Sequence, residues 1–202
     1  MKITLLSTIA IVASMALPGL VLADAATPQH VRGTVETLDG STLTVHTREG
    51  ETAIVTLPDG APIAGVAEAK VSDIKTGDFV GIASLPNEKG VAGALEVVIF
   101  PPELKGLGEG SYGWDLKPKS TMTNATVANA VKDVEGRQVT VNYNGKDKEI
   151  AIPEGTPVVT IIGASRADLV TGATVFIVAA PSGDGYTAKQ VVVGKDGVVP
   201  PM

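Results

Sequence analysis

An internal duplication is the feature of this sequence that most constrains its fold. Four short blocks recur in the same order about 95 residues further along the chain. The first copies are residues 35–40, 57–63, 73–77 and 94–99, and their counterparts are residues 131–136, 152–158, 168–172 and 188–193. Because a sequence repeat folds as a repeated structural unit, the chain is predicted to build one small architecture twice.

Each copy has the composition of a set of short strands. In the first copy the predicted strands are residues 31–38, 42–47, 51–57, 79–84 and 92–100. The first two alternate β-forming residues on either side of Asp39-Gly40, which is a hairpin signal. The segment 63–71 has no such alternation and is expected to hold a short helix or a 3₁₀ turn.

Five short strands with an irregular excursion after the third are typical of a small closed barrel of the OB kind. The fold class predicted from the sequence is therefore all-β, with two tandem small OB-like β-barrels after a cleaved signal peptide. A unit of roughly 75 residues is near the lower limit for an independent core. The two barrels are therefore expected to pack together or to share strands.

A residue pattern runs through the first copy and, in part, through the second: Gly-x-Val, a Gly turn with Leu-Thr-Val, Asp-Leu/Ile-x-x-Gly-x-x-Val, and a strand with Ala-x-x-Val. It is carried here by Gly33, Val35, Gly40, Val80 and the segments 43–45, 73–77 and 94–97. On these residues the chain resembles a family of exported bacterial OB-like domains of unknown function. The second copy departs at Asn129, where the opening Gly is missing. The resemblance implies a tandem pair of such domains and supplies no catalytic residues.

The first 23 residues have the pattern of an export signal. Lys2 precedes an apolar stretch, and Ala23 offers a signal-peptidase site, with Ala25 as the second choice. We therefore expect a signal peptide at 1–23, a first barrel at 24–100, a Gly/Pro-rich connector at 101–123 and a second barrel at 124–202. The expected location is the periplasm or the medium, with no membrane span after removal of the signal.

Composition narrows the function further. The chain has no Cys, so disulfides, thiolate metal sites and a Cys nucleophile are excluded. It carries 22 acidic and 16 basic residues. This acidic balance argues against nucleic acid as a partner, because binding to phosphates needs clustered Lys and Arg.

The connector holds the candidate ligand-binding residues Tyr112, Trp114 and Asp115. Trp114 is the only Trp of the chain, and Trp and Tyr are enriched at recognition surfaces. The alternative is that these rings fill a seam between the two barrels. No catalytic, metal or cofactor residue is predicted.

The sequence favours a non-enzymatic periplasmic binding or interaction protein, whose partner is an envelope protein or a small molecule. A periplasmic metal-handling accessory is the alternative, because His30, His46 and Met122 are potential ligands. A cell-wall or carbohydrate hydrolase is less favoured, because it would need two carboxylates facing each other in a cleft. A purely structural role is also open.

Overall fold

The computed structural model describes residues 27–86, 91–129 and 137–202. The predicted signal peptide lies outside these residues. The described part is all-β, with thirteen strands and three single turns of 3₁₀ helix, which confirms the predicted fold class at this level. None of its helices is long and apolar enough to cross a bilayer.

The strands are, in chain order, β1 (Gln29–Asp39), β2 (Thr42–Thr47), β3 (Thr52–Thr56), β4 (Ile63–Glu68), β5 (Phe79–Pro86), β6 (Ala92–Phe100), β7 (Gly110–Trp114), β8 (Ser120–Asn129), β9 (Gln138–Tyr143), β10 (Lys146–Ala151), β11 (Val158–Gly163), β12 (Thr174–Ser182) and β13 (Gly185–Gly194). The 3₁₀ turns are Val71–Asp73, Pro102–Leu104 and Arg166–Asp168.

Ten of these strands form two closed five-stranded rings. Ring 1 has the order β1-β2-β3-β13-β12 and closes through the antiparallel pairing of β12 with β1. Ring 2 has the order β8-β9-β10-β6-β5 and closes through the antiparallel pairing of β5 with β8. In each ring one junction is parallel: Val55 lies opposite Tyr186 in ring 1, and Ile150 opposite Ala92 in ring 2. Closure leaves no exposed sheet edge within either ring.

The rings divide the chain differently from the sequence repeat. Ring 1 combines the first three strands of the chain with the last two, and ring 2 combines β5 and β6 with β8, β9 and β10. Each ring therefore takes three strands from one half of the sequence and two from the other.

The remaining strands of each half join the two rings. β4 and β11 pair antiparallel with Val66 opposite Ile161, while β11 pairs with β6 and β4 pairs with β13. Separate apolar clusters fill ring 1 and ring 2. A third cluster lies between the rings and contains Val66, Val98, Val159, Phe176 and Val192; we call it the seam.

The strand register corrects one detail of the sequence alignment. Val35 in β1 and Val127 in β8 are each followed by a β-bulge in the pairing with the next strand. They therefore occupy the same place, although the sequence match pairs Val35 with a residue of 131–136, which lies outside the described residues. The counterpart of Gly33 is then Ala125 rather than Asn129. Gly33 lies opposite Val175 and Ala125 lies opposite Val80, and these two valines occupy the same place in the repeat.

Two segments without a strand pattern form strands. The connector 101–123 contains β7 and the start of β8, and the segment 63–71 contains β4. β7 pairs with β8 at Ser120–Asn124, just before the stretch of β8 that pairs with β9. β4 pairs with β11 and β13, and β7 pairs with β8. The local sequence of β4 and β7 does not indicate these pairings.

We predict that neither half of the chain, residues 24–100 or 101–202, folds as a monomer when expressed alone. Each half lacks the strands that close its rings, so unpaired edges would be exposed. The two halves produced together should associate and give β-sheet circular dichroism with one cooperative unfolding transition. Light scattering after gel filtration measures the mass. A folded monomer of either half would contradict the strand exchange.

Candidate functional site

A cavity of about 1130 Å³ lies between the two rings. Its walls come from β1 and β2 of ring 1, from β6 of ring 2, from the ends of β4 and β11, and from the segment 196–202. The charged side chains on these walls include Arg32, Arg48, Glu68, Glu96 and Lys117. The cavity therefore combines apolar strand surface with a few charged groups, as small-molecule sites do.

Glu96 is the most unusual group of this cavity. It lies on β6 next to Val97, which faces the interior of ring 2, so its side chain is on the face that it shares with Val98 of the seam. Only 3% of Glu96 is exposed, and its Oε1 atom has no hydrogen-bond partner among the described residues. A buried carboxyl oxygen without a partner is costly, because it has lost its contacts with water.

This burial sets the protonation of Glu96. Loss of hydration raises the pKa of the carboxyl group from 4.5 to about 7, and Asp115 nearby acts in the same direction. The positive charges of Arg32 and Arg48 oppose the shift without cancelling it. Glu96 is therefore close to half protonated at neutral pH and can either donate or accept a hydrogen bond.

Arg32 on β1 forms an ion pair with Asp115 at the cavity wall. Its guanidinium donates to both carboxylate oxygens of Asp115, at 2.6 and 3.1 Å, and its Nε donates to the backbone oxygen of Met202. The side chain of Arg32 is only 9% exposed, whereas that of Asp115 is 51% exposed. Asp115 thus provides the counter-charge for a buried cation.

Aromatic rings surround this ion pair. The guanidinium lies 5.0 Å from the ring centre of Phe176 and 5.9 Å from that of Trp114, within the range of cation–π contacts. His30 packs against both rings, at 4.6 Å from Trp114 and 5.1 Å from Phe176, and its Nδ1 is 3.0 Å from Asp115. We call Arg32, Asp115, His30, Trp114 and Phe176 the arginine cluster.

The pKa of Asp115 reflects two opposing effects. Partial burial raises it, but the hydrogen bonds from Arg32 and His30 outweigh burial and lower the pKa to about 2. The carboxylate therefore stays ionised throughout the neutral range. Its carboxylate oxygens contact His30 and Arg32, which both lie on β1.

The three predicted ligand-binding residues lie at the arginine cluster and beside it. Trp114 and Asp115 belong to the cluster, and Trp114 also packs against the seam. Tyr112 is 43% exposed, its ring lies 6.4 Å from that of Trp114, and its hydroxyl accepts a hydrogen bond from Asn124. None of the three lines the cavity. Arg32 connects the cluster to the cavity, because it belongs to both.

Sequence reasoning did not single out Arg32 and Glu96. Only Glu96 had a usable signal, because it is the one charged residue of its β-forming segment, as in Ala94-Leu95-Glu96-Val97-Val98, whereas the segment of Arg32 also contains Glu36. A charge in such a position is rare unless it is paired or functional. His30 was noticed only as a potential metal ligand, and the structure places it against Asp115 instead.

The described residues contain no group of three or more His, Asp or Glu side chains arranged to hold a metal ion. His46 is exposed and lies 3.9 Å from Glu36 on the neighbouring strand. Met122 is buried on β8. The three potential metal ligands of the sequence thus lie on three different strands, β1, β2 and β8.

Fold and site together define an all-β protein with two closed five-stranded rings and a polar cavity between them. Comparison of the chain with protein-family models, curated protein sequences and solved structures gives no match. The chemistry of the cavity therefore has to be argued from its own side chains.

We predict that Glu96→Gln stabilises the protein at pH 8 by up to about 3 kcal/mol, the equivalent of the pKa shift. A raised pKa means that the unfolded state ionises more easily, so the unmodified protein loses stability as the pH rises from 4.5 through 7. The advantage of the variant should therefore shrink towards pH 4.5. Urea unfolding at both pH values measures it.

Glu68→Gln, at an exposed position on the same cavity wall, is the matched control and should change stability by no more than about 0.5 kcal/mol. Equal stability of Glu96→Gln and the unmodified protein at pH 8 would show that Glu96 is hydrated or paired.

We predict that Asp115→Asn destabilises the protein by about 2 kcal/mol, because the buried guanidinium of Arg32 loses its counter-charge. The effect should diminish as the pH falls from 4 towards 2, where the native carboxylate is itself protonated. Urea unfolding followed by the fluorescence of Trp114 gives the measurement. Asp184→Asn, in an exposed turn, should leave stability unchanged, and an equally stable Asp115→Asn would refute the ion pair's role.

Proposed function

We propose that this is a non-enzymatic binding protein of the periplasm or the medium, which holds a small molecule in the cavity between its two rings. The export signal expected at 1–23 supports the location. The observation that carries the binding role is Glu96: it lines the cavity, and its carboxyl group has a buried Oε1 without a hydrogen-bond partner among the described residues.

We also propose that each ring is an OB-like barrel and that the two arose by duplication. Both rings have the same strand order, with one parallel junction at the same place. Both rings also have a β-bulge after the equivalent valines Val35 and Val127. A second bulge lies at equivalent places in the β5–β6 and β12–β13 hairpins, at Ala83/Ser84 and Val178/Ala179. Barrels of this kind are mostly binding scaffolds, so the analogy favours binding over catalysis.

The size and the lining of the cavity suit a small organic molecule. Its volume of about 1130 Å³ is slightly above the usual range for ligand pockets, roughly 300–1,000 Å³. Val158, Val159, Val198 and Pro200 supply apolar wall. A ligand with a hydrogen-bond donor, such as an ammonium, amide or hydroxyl group, would satisfy Glu96 and bury its apolar part against these residues.

The arginine cluster supports binding of an organic ligand over a role in metal handling. Both carboxylate oxygens of Asp115 already accept hydrogen bonds from Arg32. A metal ion bound there would be repelled by the adjacent guanidinium. An envelope protein as partner remains the second possibility that the sequence raised, and no contact of the described residues favours it over a small molecule.

The test is a thermal-shift screen of the mature protein against amines, amino acids, short peptides and sugars, followed by calorimetry of each compound that binds. We expect at least one saturable ligand. Its affinity should fall about tenfold or more in Glu96→Gln, because the amide cannot accept a charge-assisted hydrogen bond.

Glu149→Gln provides the control, because Glu149 is exposed on β10 and does not line the cavity. For a cationic ligand, the affinity of the unmodified protein should rise between pH 6 and pH 8, as Glu96 ionises. No ligand in the screen, or ligands whose affinity Glu96→Gln does not change, would overturn the proposal.

A further inference from the structure

A second group of polar side chains lies at one end of ring 2, away from the cavity. Lys148 on β10 directs its ammonium group at three hydroxyl groups: Thr123 at 2.9 Å, Ser111 at 3.3 Å and Thr121 at 3.5 Å. Ser84 on β5 joins the group through a contact of 3.3 Å with Thr121. We call these five residues the lysine cluster.

The ammonium group of Lys148 is partly buried, and no described residue provides a counter-charge. No carboxylate of the described residues lies within ion-pair distance of it. Burial lowers the pKa of Lys148, and no acidic group among the described residues counteracts this shift. A desolvated cation is normally paired with an anion, since hydroxyl dipoles compensate only part of the lost hydration.

Two hydroxyl hydrogens of the lysine cluster have no acceptor among the described residues. Ser84 bonds to Thr121, and Ser111 bonds to Thr123 at 3.0 Å, so each pair uses one of its two hydroxyl hydrogens. No acceptor among the described residues takes the other hydrogen of either pair. Because Lys148 already donates to these oxygens, the two remaining O–H groups can act as donors beside a positive charge.

Access to the lysine cluster comes from Ser111. Ser84 and Thr123 are buried, at 1% and 0% exposure, whereas Ser111 on β7 is exposed. The contacts of Lys148 with Ser111 and Thr121 are long for hydrogen bonds. An incoming group could replace them at little cost and keep the short contact with Thr123.

We propose that the lysine cluster binds a small oxyanion, held by the ammonium group of Lys148 and the hydroxyl groups of Ser111, Thr121 and Thr123. The anion would provide the missing counter-charge and accept the two free hydroxyl hydrogens. This site does not depend on the proposed function, because it lies outside the cavity and contains none of its residues.

The test uses inorganic phosphate and sulfate as probes on the mature protein labelled with ¹⁵N. At constant ionic strength, set with chloride, we expect saturable changes in the amide signals of Thr121, Thr123 and Lys148, with the two tetrahedral anions alike. A titration with acetate shows whether a carboxylate group is accepted at the same place. The signals of Glu96 and its neighbours should not move, which separates this site from the cavity.

Lys148→Met should weaken binding about tenfold or more, because it removes the charge but keeps most of the side-chain length. Ser111→Ala, at an exposed position where folding is not at risk, should weaken it about threefold to tenfold, the effect of one lost hydrogen bond. Lys146→Met on the same strand is exposed and should bind as the unmodified protein does.

A linear, non-saturating response to phosphate and sulfate would overturn the proposal. So would equal binding by Lys148→Met and Lys146→Met, since the anion would then respond to general surface charge. If Lys148→Met fails to fold, unchanged affinity in Ser111→Ala gives the same negative answer.

Discussion

The antiparallel pair of β4 and β11 is the connection on which the arrangement of this protein depends. Each strand also pairs with one strand of a ring, β11 with β6 of ring 2 and β4 with β13 of ring 1. The two rings therefore form parts of one continuous hydrogen-bonded sheet. In each half of the chain, β4 or β11 comes between the strands that enter one ring and the strands that enter the other. The strands of each half are therefore divided between the two rings. The seam, the arginine cluster and the cavity all lie where that crossing brings the rings together.

The site breaks the symmetry of the two rings. The sequence repeat aligns Glu96 with Gln190, which is exposed on β13, whereas Glu96 is buried. By strand register Arg32 corresponds to Asn124, which bonds to the hydroxyl of Tyr112 instead of to Asp115. The connector residues Leu116 and Lys117 and the segment 196–202 line the cavity beside Arg32, whereas the connector residues Leu107 and Tyr112 bond to Asn124. Among the described residues, the surroundings of Arg32 on ring 1 therefore differ from those of Asn124 on ring 2, although the strands that carry the two residues are equivalent.

The sequence predicted most of the strands and little of the site. Alternating β-formers and Gly turns are local signals, and β2, β3, β5 and β6 lie close to where these signals placed them. β4 and β7 were missed, because their hydrogen bonds come from strands that are distant in the sequence. Trp114 and Asp115 were singled out for their residue types, but their contacts with Arg32 and His30 span more than 80 positions, and no local pattern encodes such a distance.

What the sequence determined by itself is the inventory: an all-β chain, a repeated set of strands, no thiol chemistry and a single Trp in the connector. Only the tertiary structure decided which strands close which ring. It thereby decided that the buried Oε1 of Glu96 has no partner among the described residues and that Lys148 lies among hydroxyl groups. The physical reason is that strand propensity is local, whereas pairing and desolvation depend on which distant residues come to lie beside a group.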